Sequence, residues 1–191
     1  MKEIRIKTPA TSANVGPGYD IFAMALADPC DEVHLILDGS DEIKIEVEND
    51  CQDIPTKVED NVAGLAALEL LKRHQLKQGM TIKIIKHMKS GGGMGTTGAS
   101  AAAVVYGLNK LLDLNLSENE MIDISRMGEV ASGGSPHADN VAASIMGGFV
   151  LVKSYDPIDV LKLDIPEFPV VLAAIKKSQR TTRGFITYEI G

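Results

Sequence analysis

At 191 residues and 45% hydrophobic content the chain is long enough for one substantial core, and no apolar run approaches the roughly 20 residues that span a bilayer. With 26 acidic against 19 basic residues, a net charge of −7 and only 4% aromatics, a basic surface with stacking rings is excluded, so the expected partner is a small molecule rather than nucleic acid or membrane. Cys30 and Cys51 lie in no metal or redox spacing, and His34, His74, His87 and His137 have no ligand spacing, which leaves any metal to oxygen ligands. The start, residues 1–7, alternates like a strand instead of a signal peptide, and the chain is expected in the cytoplasm.

In chain order, alternation predicts a strand over 4–7, followed by an irregular loop from Pro9 through Gly16-Pro17-Gly18. Segments 33–37 and 43–47 read as an antiparallel pair joined by the turn Asp38-Gly39-Ser40-Asp41. A helix is expected after Asp60, with Val62, Leu65, Leu68 and Leu71 on its apolar face and an end near Gly79. A strand over 81–86 and a helix over 100–112 flank a glycine-rich loop. Ser117 and Glu120 form a capping-box pattern that opens a helix running to about 130. A short helix from Asp139, a turn at Gly147-Gly148 and strands over 149–153, 160–163 and 170–175 complete the pattern.

The loop from Ser90 to Ser100 carries the strongest chemical signal. Five glycines, Gly91, Gly92, Gly93, Gly95 and Gly98, fall within eight residues and run directly into Ala101-Ala102-Ala103. Strand, glycine-rich loop and helix N-terminus together make an anion site, because backbone N–H groups approach without side-chain clash and the helix adds unpaired donors and partial positive charge. The hydroxyls of Thr96, Thr97 and Ser100 are placed to cap the helix, touch phosphate or help hold a metal. A tight turn packing a helix on a sheet is the alternative. The loop is no Walker A motif, since no Gly-Lys-Ser/Thr ends it, and its G-x-G-x-x-G lacks the acidic residue of a dinucleotide fingerprint.

Three segments, in order, resemble the GHMP kinase superfamily, the small-molecule kinases named for galactokinase, homoserine kinase, mevalonate kinase and phosphomevalonate kinase. Pro9-Ala10-Thr11-Ser12-Ala13-Asn14-Val15-Gly16-Pro17-Gly18-Tyr19-Asp20 is similar to the substrate motif of the homoserine kinase branch. Gly91 to Ser100 resembles the superfamily's Gly-Leu-Gly-Ser-Ser phosphate loop, with Met94 for leucine and Thr96, Thr97 for the serines. Pro136-His137-Ala138-Asp139-Asn140-Val141 is again similar to the homoserine branch, whereas mevalonate-type kinases carry Ser-Gly-x-Asp near this point.

The resemblance implies an α+β fold of the ribosomal protein S5 domain 2-like type over residues 1–175, with 176–191 as the start of a truncated C-terminal domain. It implies ATP and Mg²⁺, with Ser90 to Gly98 and Ser100 around the phosphates, Asn61 near adenine, and Thr97 and Glu129 as metal ligands. Asn61 reads equally well as a helix cap. For the acceptor it implies Asn14, Asp20 and Asn140, with His137 as structural or substrate-lining. Asp20 suits an α-ammonium, and Arg180 or Arg183 suits a substrate carboxylate. Asn140 would orient the acceptor hydroxyl, and Asp139 is the base if there is one, its alternative being a helix cap. The implied activity is ATP-dependent phosphorylation of L-homoserine to O-phospho-L-homoserine in threonine biosynthesis. The alternatives are another GHMP kinase with a mevalonate- or shikimate-type acceptor, or a nucleotide-binding fragment without full activity. A homodimer is left open.

Overall fold

The computed structural model describes residues 2–48, 54–88 and 93–171. Two long strands, β1 (Lys2–Ala13) and β2 (Phe22–Leu37), pair antiparallel from Lys2 opposite Leu37 to Ala13 opposite Ala23. The strand expected over 4–7 thus continues through Pro9 and the first half of the predicted loop. A register shift between Pro9 and Thr11 takes up the proline, and β1 pairs with β2 alone; a bulge on an edge strand is where a sheet tolerates a missing N–H.

β3 (Ile43–Glu48) is followed by α1 (Val62–Arg73) and β4 (Met80–Ile85). The antiparallel pairing expected between 33–37 and 43–47 is not formed. Instead β4 lies between them, parallel to β3 and antiparallel to β2. The intervening helix carries the chain back across the sheet, which permits a parallel pair that a short turn cannot make.

The buried face of α1 is Ala63, Gly64, Ala66, Ala67, Leu70 and Leu71, so of the expected stripe only Leu71 is buried. Small residues let α1 lie close to its neighbours, while Leu68 turns outward at 37% exposure. The helix stops at Arg73, short of Gly79, where Gln75 takes a φ of +52°.

α2 (Thr96–Leu111) begins four residues ahead of the expected start at 100, inside the glycine-rich segment. α3 (Glu118–Arg126) has the capping box: Ser117 Oγ accepts from the Glu120 N–H at 3.3 Å, and Glu120 Oε2 accepts from the Ser117 N–H at 2.8 Å. The helix expected to reach 130 breaks into a 3-10 turn, Met127–Glu129, and then α4 (Val130–Gly133). α5 (Asp139–Met146), β5 (Phe149–Tyr155) and β6 (Ile158–Leu163) follow. Val170 and Val171 belong to no strand, and the rest of the strand expected over 170–175 lies outside the described residues.

The result is a six-stranded mixed sheet organised on β2, which carries β1 along one edge and both β4 and β5 along the other. Helices α1, α2 and α3 share one core with Val33, Leu35, Ile82 and Ile84, and α5 shares a second with β5 through Val141, Ala142 and Val150. Among the described residues no helix is long and apolar enough to cross a membrane.

The break at 127–129 has a packing cause. A Cβ on Gly128 would collide with the Val62 carbonyl at the start of α1 and lie 3.3 Å from the Ala66 methyl. Contact with backbone cannot be relieved by a rotamer change, so the turn presses onto α1 only because position 128 has no side chain. Gly128→Ala, which elsewhere raises helix stability, is expected to cost about 1–3 kcal/mol, read as a lower urea midpoint with an unchanged slope. A midpoint equal to or above wild type would show that the turn does not depend on this contact.

Candidate functional site

The glycine-rich segment is held at both ends by buried polar groups. At its entry, Asp31 of β2 accepts from the backbone N–H groups of His87 and Met88, at 2.7 and 2.9 Å through Oδ1, and its other oxygen is paired with Lys86 Nζ. At its exit, Lys86 Nζ donates to the Thr96 carbonyl at 3.3 Å. Both side chains are buried, at 4% and 0% exposure. Gly93 and Gly95 take φ values of +75° and +61°, a region that favours glycine.

Gly95 occupies the N-cap of α2 without any side-chain cap, and no acidic residue lies in the first turn. The leading amides are therefore left without intrahelical acceptors, in an electropositive position suited to phosphate. The expected hydroxyls divide. Thr96 and Ser100 are buried, and Ser100 Oγ donates to the Thr96 carbonyl at 3.1 Å, which braces the first turn. Thr97 stands by the Glu129 carboxyl.

Glu129 is buried, and its Oε1 has no hydrogen-bond partner. Burial pushes its carboxyl above the usual range; the Thr97 hydroxyl and His137 oppose this, and Asp139 adds to it. An orphaned, buried carboxylate oxygen beside a hydroxyl and a phosphate-type loop fits a hard divalent cation, which typically takes one or two protein oxygens together with phosphate oxygens. Thr97 and Glu129 are the residues that would hold it. Gly98 marks the meeting point: a Cβ there would lie 3.5 Å from Glu129 Oε1 and 3.4 Å from the Asn140 Cβ.

The first motif reaches the loop through Thr11. Its backbone N–H donates to the Met94 carbonyl at 3.0 Å, and its hydroxyl donates to Asn140 Oδ1 at 2.7 Å. Gly95 rests directly on this bond, since a Cβ there would overlap Thr11 Oγ1 and come within 2.6 Å of Asn140 Oδ1. Further along, Asn14 and Asp20 both take positive φ, at 59° and 56°, and Asn14 Oδ1 accepts from the Asp20 N–H at 2.8 Å, shaping the connecting turn. The Asp20 carboxylate lies 3.4 Å from His137 Nδ1, and Tyr155 donates to the Asp20 carbonyl at 2.8 Å.

Asp139 is buried, and its Oδ1 accepts from the Asn140 N–H at 2.8 Å. It is not the N-cap residue, since Ala138 occupies the N-cap of α5; as the first residue of that helix it satisfies one first-turn N–H. Burial raises the Asp139 carboxyl and Asp20 adds to that, against hydrogen bonding from Asn140.

Asn61 is the cap of α1. Its Oδ1 accepts from the N–H groups of Ala63 and Gly64, and its Nδ2 donates to the Pro55 carbonyl at 2.6 Å, so both ends of the amide are engaged in local structure. The structure thus brings together Asn14, Asp20, Met94, Gly95, Thr97, Gly98, Glu129, His137, Asp139 and Asn140. Ser90, Gly91, Gly92, Arg180, Arg183 and Cys51 lie outside the described residues. A cavity of about 760 Å³ lies elsewhere, between β3 and the end of α1, and contains none of the motif residues.

Thr11, Asp31, Lys86 and Tyr155 were not singled out from the sequence. Two of them had a legible signal. Lys86 is in phase with the inward residues Ile82 and Ile84, and Asp31 with Val33 and Leu35, so each is a charge at a core position. Thr11 and Tyr155 had none, because their partners are 129 and 135 residues away.

Residues 61–148 match the sequence profile of the GHMP kinases N-terminal domain, a span that takes in the glycine-rich segment, Glu129 and Asn140. The chain belongs to the GHMP kinase family and carries the N-terminal domain of that fold. Its relatives include a homoserine kinase of Methanococcus maripaludis, 42% identical across all of this chain and 64% of that one, and one of Thermoplasma volcanium, 38% identical over 94% of this chain and 57% of that one. A crystal structure of homoserine kinase from Cytophaga hutchinsonii superposes with a TM-score of 0.81 at 38% identity, over 87% of this chain and 53% of that chain. L. major mevalonate kinase, solved with R-mevalonate, shares the fold at a TM-score of 0.67 and 15% identity, over 86% of this chain and 53% of that one. The chain spans less than two thirds of the length of these relatives.

The buried, unpaired Glu129 has a consequence for stability. Its folded pKa lies above the ordinary 4.5, so the native state keeps the proton to higher pH than the unfolded chain, and stability falls as pH rises from about 4.5 through the folded value. Glu129→Gln is expected to raise the Tm of the ligand-free protein at pH 8 by roughly 2–4 °C or more, with the difference closing near pH 4. A thermal melt in which the variant is less stable at pH 8 would mean that the carboxylate is already compensated.

Proposed function

We propose that this chain supplies the nucleotide- and acceptor-binding part of an ATP-dependent homoserine kinase, which phosphorylates the hydroxyl of L-homoserine to O-phospho-L-homoserine, a step of threonine biosynthesis. The observation that carries this is the direct contact of three segments. Thr11 of the first, Met94 and Gly95 of the second and Asn140 of the third are joined by two hydrogen bonds and one close packing contact. The homoserine kinase relatives support the acceptor, and the GHMP family as a whole supports ATP as donor.

In this reading bound MgATP supplies the γ-phosphoryl group and a cation that spreads its charge. Amides of the loop and of the first turn of α2 bind the phosphates, and Thr97 and Glu129 hold the cation. Phosphoryl transfer needs positioning and charge neutralisation more than covalent help from the protein. Asn140, its amide oriented by Thr11, directs the acceptor hydroxyl. Asp139 fixes the Asn140 backbone and is the candidate base, its raised pKa strengthening it as a proton acceptor. Asp20 binds the α-ammonium, with His137 and Asn14 setting its position, and an arginine of 180–183 binds the carboxylate. In this reading the N-terminal domain spans residues 1–175.

A second reading is nucleotide binding without turnover, for which the uncapped N-terminus of α2 alone would suffice. A mass-spectrometric product assay with MgATP and a panel of L-homoserine, mevalonate and shikimate separates the readings. O-phospho-homoserine as the sole product is the expected result. Phosphorylated mevalonate or shikimate would overturn the acceptor assignment, and nucleotide binding without product would select the second reading. Asp20→Asn is expected to weaken homoserine binding about 10- to 100-fold while leaving ATP within about twofold, since a charge-assisted contact is worth about 1.5–3 kcal/mol. Equal weakening of both ligands in titration calorimetry would remove the ammonium role.

A further inference from the structure

The phosphate loop is anchored by a device that none of the three motifs contains. Asp31 lies on β2 and Lys86 follows directly after the last residue of β4: the pairing of Leu35 with Ile82 and of Val33 with Ile84, continued by one step beyond the strand, brings them together. Both are at inward positions, and both are buried. An ion pair taken out of water loses much hydration, and a well-packed apolar pair of similar volume is usually at least as stable. Stability alone therefore gives little reason for charges here.

The remaining hydrogen bonds show what the charges hold. Asp31 Oδ1 receives the N–H groups of His87 and Met88, where the chain leaves β4. Lys86 Nζ reaches the carbonyl of Thr96, the first residue of α2. One pair thus grips the two ends of the segment between 87 and 96, and an apolar substitute could make none of these backbone contacts. We propose that the Asp31–Lys86 pair is a positioning clamp for the phosphate loop, fixing the distance between its ends and thereby its affinity for a nucleoside triphosphate. The clamp rests on the reading of this loop as the nucleotide site.

The alternatives to positioning make different predictions. A lysine acting on phosphate as a simple charge would gain strength when Asp31 is neutralised. A pair serving only stability would be replaceable by apolar residues without loss of binding. The test uses Asp31→Asn, Lys86→Met and the double variant Asp31→Leu with Lys86→Met, each examined by thermal melt, by titration with MgATP, and by hydrogen exchange of the ligand-free protein.

Both single variants are expected to lower Tm, and the double variant to recover most of it. MgATP affinity is expected to fall tenfold or more in all three and to stay low in the double variant. Amides of 93–98 should exchange faster in the double variant, with those of α1 unchanged. Recovery of affinity together with Tm would overturn the clamp, as would wild-type or tighter binding by Asp31→Asn. If the unaltered chain binds no nucleotide, the loop assignment itself fails and the affinity part falls with it. Unchanged exchange at 93–98 would then overturn the mechanical part as well.

Discussion

Everything at the site depends on how closely α2 can lie within the rest of the molecule. Most of this helix is buried, from Thr96, Gly98 and Ala99 through Ala101, Ala102 and Ala103 to Val104 and Val105, so it runs through the interior and not along the surface. Its small residues allow α1, α5 and the sheet to approach together, at interior packing density. Its N-terminus is thereby fixed among three other segments. Anion binding at a helix end needs this immobility as much as the unpaired amides, because a preorganised donor costs no rearrangement when charge arrives.

Buried carboxylates are distributed around that helix start in unequal states. Asp31 is fully compensated by Lys86 and two backbone amides. Asp139 is half provided for, through the Asn140 N–H. Glu129 retains one oxygen with no partner. A buried carboxylate without a partner is costly, and the three therefore differ in what they can still accept. Asp31 serves the framework, Asp139 orders the residue beside it, and Glu129 keeps free acceptor capacity.

The turn that carries Asn14 and Asp20 is built by a different principle. Asn14 and Asp20 occupy left-handed backbone conformations, and the turn they define is closed by their mutual hydrogen bond and pinned from β5 by Tyr155. The ring of Tyr155 is in turn covered by Arg126, which shares Asp123 with Arg73. The turn is thus tied through side chains to α3 and α1, and the position of Asp20 follows from the packing of elements more than fifty residues away.

Local signals were legible in the chain. The glycine-rich segment leading into a helix, the capping box at Ser117 and Glu120, and the short helix from Asp139 are consequences of neighbouring residues, and the structure has each of these elements. Whatever required a partner distant in sequence was not. Adjacent strands suggested an antiparallel pair where β4 intervenes, and leucine spacing on α1 suggested a stripe that the alanines displaced, because pairing and burial are settled by what else competes for the same edge or face. The contact of Thr11 with Asn140, the orphaned oxygen of Glu129 and the grip of Asp31 and Lys86 on both loop ends exist only once the chain has closed on itself. A sequence fixes which groups can bond, and only the folded arrangement decides which of them are brought within reach and which are left without a partner.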